Sequence, residues 1–148
     1  MELTEKVKSC QKLIDSSVLY AIFVSNDRLD IRAKELLRKL AKSRAILLIH
    51  PLVIIEVLSL IKYRVGVEGE KIARKELYDI GKYRVLEIKT GLSKQILDLF
   101  EKNREIGLID AILIQYCLEK KTGLVTFDKK QEEVWRRLRK KLETRNMK

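Results

Sequence analysis

The sequence contains few of the residues that build disulfide-rich or zinc-stapled folds. Its 148 residues include two cysteines, one histidine, one proline and six glycines. Cys10 and Cys117 lie far apart without a paired spacing, so neither a disulfide framework nor a zinc site is predicted. The scarcity of proline and glycine excludes collagen-like and linker-like chains. Two unpaired thiols are typical of a reducing compartment, so we expect a cytoplasmic protein.

Long hydrophobic runs are also missing. The longest, Pro51–Ile61, is interrupted by Glu56 and is too short to span a bilayer. The first residues, Met1–Lys6, are charged and lack the apolar stretch of a signal peptide. We therefore expect no membrane-embedded segment.

Apolar material is nevertheless plentiful. Hydrophobic residues make up 46% of the chain and charged residues 36%. This composition excludes a disordered chain, because burial of the apolar side chains can offset the entropy lost on ordering. A chain of this length is typical of one domain, since domains usually hold about 100–200 residues. We predict a single domain over residues 1–148.

Positive charge is in excess. Lysine and arginine number 32 against 21 acidic residues, which gives a net charge of +11. Such an excess favours a polyanionic partner, with nucleic acid ahead of an anionic membrane surface. A basic surface that serves only solubility and ion pairing is the alternative. The cations are dense in a helix predicted at about 130–148, where five are candidate nucleic-acid contacts or, equally, a solvated helix face: Arg136, Arg137, Arg139, Lys140 and Lys141.

Short apolar runs alternate with helical patterns along the chain. Strands are predicted at Lys12–Ile14, Ala45–Ile49, Arg84–Ile88 and Leu124–Phe127. Helices are predicted near 29–42, from Pro51 to about Arg64, near 69–79, after Ser93, and over Ile106–Leu118. This alternation predicts βαβ units and an open parallel sheet covered by helices on both faces. In such sheets, ligands bind beyond the carboxyl ends of the strands.

Four acidic residues stand at unusual places in this order. Asp15 and Asp128 each follow directly on a predicted strand. Glu56 is the only charge between Pro51 and Ile61, and Asp110 is the only charge between Ile106 and Leu118. An ionised carboxylate among leucines and isoleucines is unfavourable unless something compensates it. All four acids fall where a parallel sheet places its carboxyl-end cleft.

Each of these acids also has an ordinary structural explanation. Asp15 fits as the N-cap of a helical segment at Ser17–Phe23, and Asp128 fits as a turn residue. Glu56 fits at the solvent edge of its helix, and Asp110 fits at the positive end of its own helix. These alternatives stay open at the level of sequence.

If the four carboxylates converge, a divalent cation relieves their mutual repulsion. Carboxylate oxygens suit Mg²⁺ or Mn²⁺, which can activate water and neutralise charge on a phosphodiester. The chain's lone histidine, His50, argues against histidine-based general-base chemistry. A basic surface that holds a polyanion would then surround an acidic centre that holds the metal ion.

Three segments carry a resemblance to a known family: LIDSSVLYAIF, PLVIIEVLSLI and GLIDAILIQYCLEKKTGLVTFDKK. In this order, over about residues 11–130, they resemble the PIN-domain nucleases. The resemblance implies a Rossmann-like three-layer α/β/α sandwich with a central parallel sheet of four or five strands. It assigns metal binding and catalysis to Asp15, Glu56, Asp110 and Asp128, and supporting roles to Ser16, Ser17 and Thr126. The segment Val65–Lys82 matches none of its motifs.

The same resemblance implies a function. It predicts a metal-dependent endoribonuclease that uses Mg²⁺ or Mn²⁺. Many small PIN-domain proteins are toxins of the VapBC toxin–antitoxin class, which usually form homodimers and are silenced by an antitoxin that fills the active groove. The alternatives are an RNA-processing nuclease unrelated to toxins, a non-catalytic RNA-binding module on the same fold, and a phosphate-accepting signalling domain.

Overall fold

The computed structural model describes residues 10–24, 29–87 and 91–147. Within these ranges the strands are β1 (Gln11–Ile14), β2 (Ile46–Ile49), β3 (Tyr83–Val85) and β4 (Gly123–Val125). The helices are α1 (Ser16–Phe23), α2 (Asp30–Lys42), α3 (Pro51–Arg64), α4 (Val67–Tyr78), α5 (Lys94–Lys102), α6 (Leu108–Lys120) and α7 (Lys129–Asn146). The strands alternate with helices, as the sequence predicts.

All strand pairs of the sheet are parallel, in the order β3-β2-β1-β4. Leu13 of β1 lies opposite Leu48 of β2 on one side and Leu124 of β4 on the other. The chain moves outward from β1 through β2 to β3, and then returns to place β4 on the free side of β1. The winding therefore reverses between β1 and β4, which is where open parallel sheets bind ligands.

Two groups of helices cover the sheet. Helix α1 packs against α2 and α3, and α3 packs against α4. Helix α5 packs against α6, and α6 against β4 and α7. The result is the predicted three-layer α/β/α sandwich.

The core explains the continuous apolar runs of the central strands. Leu13, Ile14, Leu48 and Ile49 are at most 2% exposed. A strand that is buried on both faces needs apolar side chains at successive positions rather than at alternate ones. Trp135 is also buried and packs α7 against the core.

Helix α3 has the predicted bounds because its start is strongly specified. Pro51 occupies the first turn, where its missing N–H is not needed. His50 caps the helix, with Nδ1 accepting a hydrogen bond from the backbone N–H of Leu52 at 3.1 Å. Burial lowers the pKa of His50, which favours the neutral ring that this cap requires.

Strand ends differ from the prediction by more than one residue at two places. Strand β4 ends at Val125 and not at Phe127, because the next N–H groups bond to side chains: Phe127 N donates to Ser17 Oγ and Asp128 N donates to Thr126 Oγ1, each at 3.0 Å. Strand β3 covers Tyr83–Val85 and not Arg84–Ile88, and Ile88 lies outside the described residues. Helix α4 occupies most of the segment that matched no motif.

None of the helices in the described ranges is long and apolar enough to cross a membrane.

The core predicts that alanine substitution lowers the free energy of unfolding much more at a buried helical isoleucine than at an exposed one. Ile114 is fully buried, whereas Ile72 is 66% exposed. We expect Ile114→Ala to lower the free energy of unfolding by about 2–5 kcal/mol, because it leaves a cavity between helix and sheet. Ile72→Ala is the matched control, and we expect it to change stability by less than about 1 kcal/mol. Urea denaturation measures both, and equal losses would contradict the assigned core.

Candidate active site

Asp15 lies at the end of β1 beside the point where the winding reverses. It is 4% exposed and is the N-cap of α1. Its Oδ2 accepts hydrogen bonds from Ser17 N at 3.2 Å, Ser17 Oγ at 2.7 Å and Thr126 Oγ1 at 3.0 Å. Within the described part of the chain, Oδ1 accepts none. The carboxylate is held firmly through one oxygen while the other stays available.

Two hydroxyl groups connect Asp15 to the far end of the chain. Ser17 Oγ donates to Asp15 and accepts from Phe127 N. Thr126 Oγ1 donates to Asp15 and accepts from Asp128 N. Each hydroxyl thus uses both its donor and its acceptor capacity to join β1 to the loop after β4.

Ser16 behaves differently from Ser17. In the described residues its side chain makes no hydrogen bond. Neighbouring residues on a helix point about 100° apart, so only one of the two serines can face Thr126. Ser17 and Thr126 therefore have the supporting geometry, and no described contact gives Ser16 such a role.

Asp128 lies three residues beyond β4, at the N-cap of α7. Its Oδ1 accepts from Lys130 N at 3.0 Å and Gln131 N at 3.2 Å. The side chain is exposed to solvent. Asp128 therefore caps a helix through one oxygen and faces the cleft edge with the other oxygen unbonded within the described ranges.

Asp110 shows that the four acids share one region. Its Oδ2 accepts from Gly107 N at 3.1 Å in the first turn of α6. The pKa of Asp110 is raised from 3.8 to about 6, chiefly by burial, and also by the charges of Asp15, Asp128 and Glu56, while the Gly107 hydrogen bond opposes the shift. Because all three carboxylates contribute to this shift, they lie near enough to Asp110 for their charges to act on it. Glu56 joins from α3 as an exposed side chain.

The four carboxylates share a second property. In the described ranges none of them forms an ion pair, although the chain carries 32 lysines and arginines. Unpaired oxygens of this kind are the ligands that Mg²⁺ and Mn²⁺ prefer. Over residues 10–24, 29–87 and 91–147, no three His, Cys, Asp or Glu side chains are close enough to form a ready-made cage. Mg²⁺ usually takes one or two carboxylates and keeps several waters, so it does not require such a cage.

The basic residues of the last helix lie away from this centre. Arg136 pairs with Glu132 at 2.8 Å, Arg139 pairs with Glu143 at 3.9 Å, and Arg137 bonds to Asn103. At 1.5 Å per residue, Arg136 to Lys141 are about 12–20 Å along the helix from Asp128. Lys140 and Lys141 are exposed. Nucleic-acid binding by these five cations stays a prediction.

Arg32 and Phe127 belong to the rim of the site, and no sequence pattern pointed to either. The Arg32 guanidinium carbon lies over the Phe127 ring, 5.4 Å from its centroid. The two residues come from distant parts of the chain, so only the folded arrangement brings them together. An aromatic residue between Thr126 and Asp128 is the one signal that sequence offers.

The family model of the PIN domain matches residues 12–136. The chain belongs to the PIN-domain family. The match contains all four acids and both supporting hydroxyls, so the resemblance of the three motifs is confirmed at the level of the family.

A comparison with solved structures supports the same fold. The chain is similar to VapC20 of Mycobacterium tuberculosis, a sarcin–ricin loop cleaving toxin, with a TM-score of 0.65 and 19% identity. The structural similarity covers 82% of this PIN-domain chain and 93% of the VapC20 chain. A search of curated proteins gave no significant match.

The hydroxyl network predicts unequal roles for the two adjacent serines. We expect Ser17→Ala to lower the free energy of unfolding by about 1–3 kcal/mol, because it removes a hydrogen bond to a buried carboxylate and the acceptor of Phe127 N. Ser16→Ala is the matched control, and we expect a change within about 0.5 kcal/mol. Thermal or urea denaturation measures both. A larger effect at Ser16 would contradict the network.

The raised pKa of Asp110 predicts a pH-dependent stability. At low pH both folded and unfolded states hold the proton. Between about pH 4 and 6 the unfolded state loses it first, so stability falls as pH rises, and above this window the penalty is constant. We therefore expect Asp110→Asn to gain stability relative to wild type by roughly 1 kcal/mol at pH 7.5, after allowance for solvent screening.

Urea denaturation in EDTA from pH 4 to pH 8 checks this expectation. The difference between Asp110→Asn and wild type should grow through the window and then level off. A difference that is constant across the series would show that folding does not raise the pKa of Asp110.

Proposed function

We propose that this PIN-domain protein is a metal-dependent endoribonuclease that hydrolyses RNA phosphodiesters with a metal-activated water, and that it acts as the toxin of a toxin–antitoxin pair. The observation that carries the proposal is the group of four carboxylates without ion-pair partners in the described chain, on a protein of net charge +11. Such a centre is too negative to accept an RNA phosphate unaided. It is suited to hold a cation that the phosphate can share.

The residues have separate tasks in this proposal. Asp15 would offer Oδ1 to the cation, because its Oδ2 is committed to Ser17 and Thr126. Asp110 and Glu56 supply carboxylates from α6 and α3 on the two sides of the sheet. Asp128 completes the set from the α7 N-cap. Ser17 and Thr126 orient Asp15 without neutralising it, since a hydroxyl donates a hydrogen bond but carries no charge.

A bound Mg²⁺ or Mn²⁺ would supply a water of lowered pKa and neutralise charge that develops on the phosphodiester. Asp110 must lose its proton before it can act as a ligand, and its pKa of about 6 lies near physiological pH. Binding of the cation to Asp110 would therefore release a proton from those molecules in which the Asp110 carboxyl is still protonated.

The toxin assignment rests on the type of structural neighbour. VapC20 is a toxin, and its fold covers most of this chain. By this analogy we propose a homodimer in the cytoplasm, with RNA as substrate and an antitoxin protein as inhibitor. An RNA-processing role unrelated to toxins uses the same active site and differs only in the target.

A non-catalytic RNA-binding module is the second candidate. The net charge of +11 favours it, because electrostatic binding of RNA requires no active site. It predicts salt-sensitive RNA affinity without dependence on a divalent cation.

Single carboxylate substitutions separate the two candidates. We expect Asp15→Asn and Asp110→Asn to reduce Mn²⁺-dependent RNA cleavage by about 100-fold or more, because loss of several kcal/mol of transition-state stabilisation costs a factor of ten for each 1.4 kcal/mol. Cleavage of a labelled RNA by purified protein is measured together with Mn²⁺ binding by titration calorimetry.

Asp79→Asn is the matched control. Asp79 is exposed at the end of α4, just before β3 begins, and so lies at the opposite edge of the sheet from the four acids. We expect full cleavage from this variant. Wild-type protein that neither binds Mn²⁺ nor cleaves RNA would favour the binding module, and cleavage by Asp15→Asn at the wild-type rate would overturn the assigned site.

A further inference from the structure

Arg32 is held beside the carboxylate centre without being neutralised by it. Helix α2 ends at Lys42 just before β2 begins, so its first turn, with Arg32, lies toward the carboxyl edge of the sheet. The Arg32 side chain is exposed, and within the described chain it forms no ion pair. Its described contact is the Phe127 ring, at 5.4 Å.

Phe127 is itself fixed to the site. Its N–H donates to Ser17 Oγ at 3.0 Å, and Ser17 Oγ donates to Asp15 at 2.7 Å. The Arg32 guanidinium is therefore connected to the Asp15 carboxylate through the ring and backbone N–H of Phe127 and the hydroxyl of Ser17. Arg32 is placed by the same contacts that place the carboxylate.

A cation–π contact leaves the arginine ready for another partner. The ring attracts the positive charge but accepts none of the five N–H donors in a strong hydrogen bond. These donors match two oxygens of a phosphate group. Holding the guanidinium on a ring also reduces the conformational entropy that binding would otherwise cost.

Two more cations extend this rim. Lys129 and Lys130 are the first residues of α7, directly after Asp128, and both are exposed. In the described residues neither forms an ion pair. Of the cations on the far half of α7, in contrast, Arg136 and Arg139 pair with glutamates of their own helix.

We propose that Arg32 on Phe127, together with Lys129 and Lys130, forms a binding site for the phosphates that flank the cleaved bond of an RNA strand. The proposal rests on the proposed ribonuclease function for the identity of the strand. The rim holds the neighbouring phosphates, and the carboxylates keep their oxygens for the cation at the cleaved phosphate.

Binding without cleavage tests the site. Wild-type protein and variants are titrated in EDTA with a short fluorescein-labelled single-stranded RNA, and anisotropy is followed over a series of KCl concentrations. We expect Arg32→Gln to raise the Kd about fivefold and to reduce the slope of log Kd against log salt by about one, as for the loss of one phosphate contact. The Lys129→Gln/Lys130→Gln double variant should reduce the slope further.

Arg38→Gln is the matched control. Arg38 is exposed on the same helix and, in the described ranges, has no ion pair, but it lies about 9 Å farther along the axis from the site. We expect less than a twofold change in Kd. Arg32→Lys should fall between Arg32→Gln and wild type, because lysine keeps the charge and loses the forked donors.

Steady-state cleavage in Mn²⁺ gives a second measurement. Arg32→Gln should raise KM and leave kcat nearly unchanged, since the flanking contact is equally strong in ground and transition states. Equal Kd and equal salt slope for Arg32→Gln and Arg38→Gln would overturn the proposal. If wild type binds RNA with the expected Arg32 dependence but never cleaves it, the phosphate site stands and the ribonuclease function fails.

Discussion

The structure depends on a buried carboxylate that is satisfied by hydroxyl groups and not by a cation. Asp15 is almost fully buried, and the removal of an ionised group from water is strongly unfavourable without compensation. An arginine would compensate it fully and also cancel its charge. Ser17 and Thr126 instead supply hydrogen bonds and leave the charge in place. The stability of the apolar core offsets the remaining penalty, and the site keeps its negative charge.

Topology explains why this arrangement forms only in the complete fold. Asp15 ends the first strand and Thr126 follows the last, yet the order of the sheet makes β1 and β4 neighbours. Neither half of the chain contains both sides of the hydrogen-bond network. A partly folded chain therefore lacks the Thr126 donor and the bond from Phe127 N to Ser17, which couples the integrity of the site to the integrity of the whole sheet.

The acids could be predicted from sequence because each one breaks an apolar pattern. Glu56 is the only charge between Pro51 and Ile61, and Asp110 is the only charge between Ile106 and Leu118. Asp15 directly follows the apolar residues Leu13 and Ile14. The sequence also allowed Asp15 to be a helix cap and Asp110 to interact with the start of its own helix. Both explanations hold in the structure, where the charges of the other three acids also act on Asp110. Capping engages one oxygen of each, so the structural and functional explanations do not compete.

Other features depend on three-dimensional geometry that periodicity does not encode. Ser16 and Ser17 are identical neighbours, and only the rotation of α1 about its axis distinguishes them. The contact of Arg32 with Phe127 joins residues that no local pattern links. The density of cations in α7 indicated a possible nucleic-acid contact from sequence. In the structure, Arg136 and Arg139 pair with Glu132 and Glu143 at i,i+4 spacing, which reduces the unpaired positive charge on this helix.

The helix termini account for how four carboxylates can coexist. Helices α1, α6 and α7 begin at or beside Asp15, Asp110 and Asp128. Each helix start carries about half a positive unit charge, which stabilises a carboxylate near it. Three such partial charges cannot balance four carboxylates, so a net negative charge remains. Burial is the main cause of the raised pKa of Asp110, and the charges of Asp15, Asp128 and Glu56 add to it. A divalent cation would be opposite in sign to this remainder and similar to it in size. Arg32, Lys129 and Lys130 form no ion pair with the carboxylates in the described chain, so they do not cancel this charge.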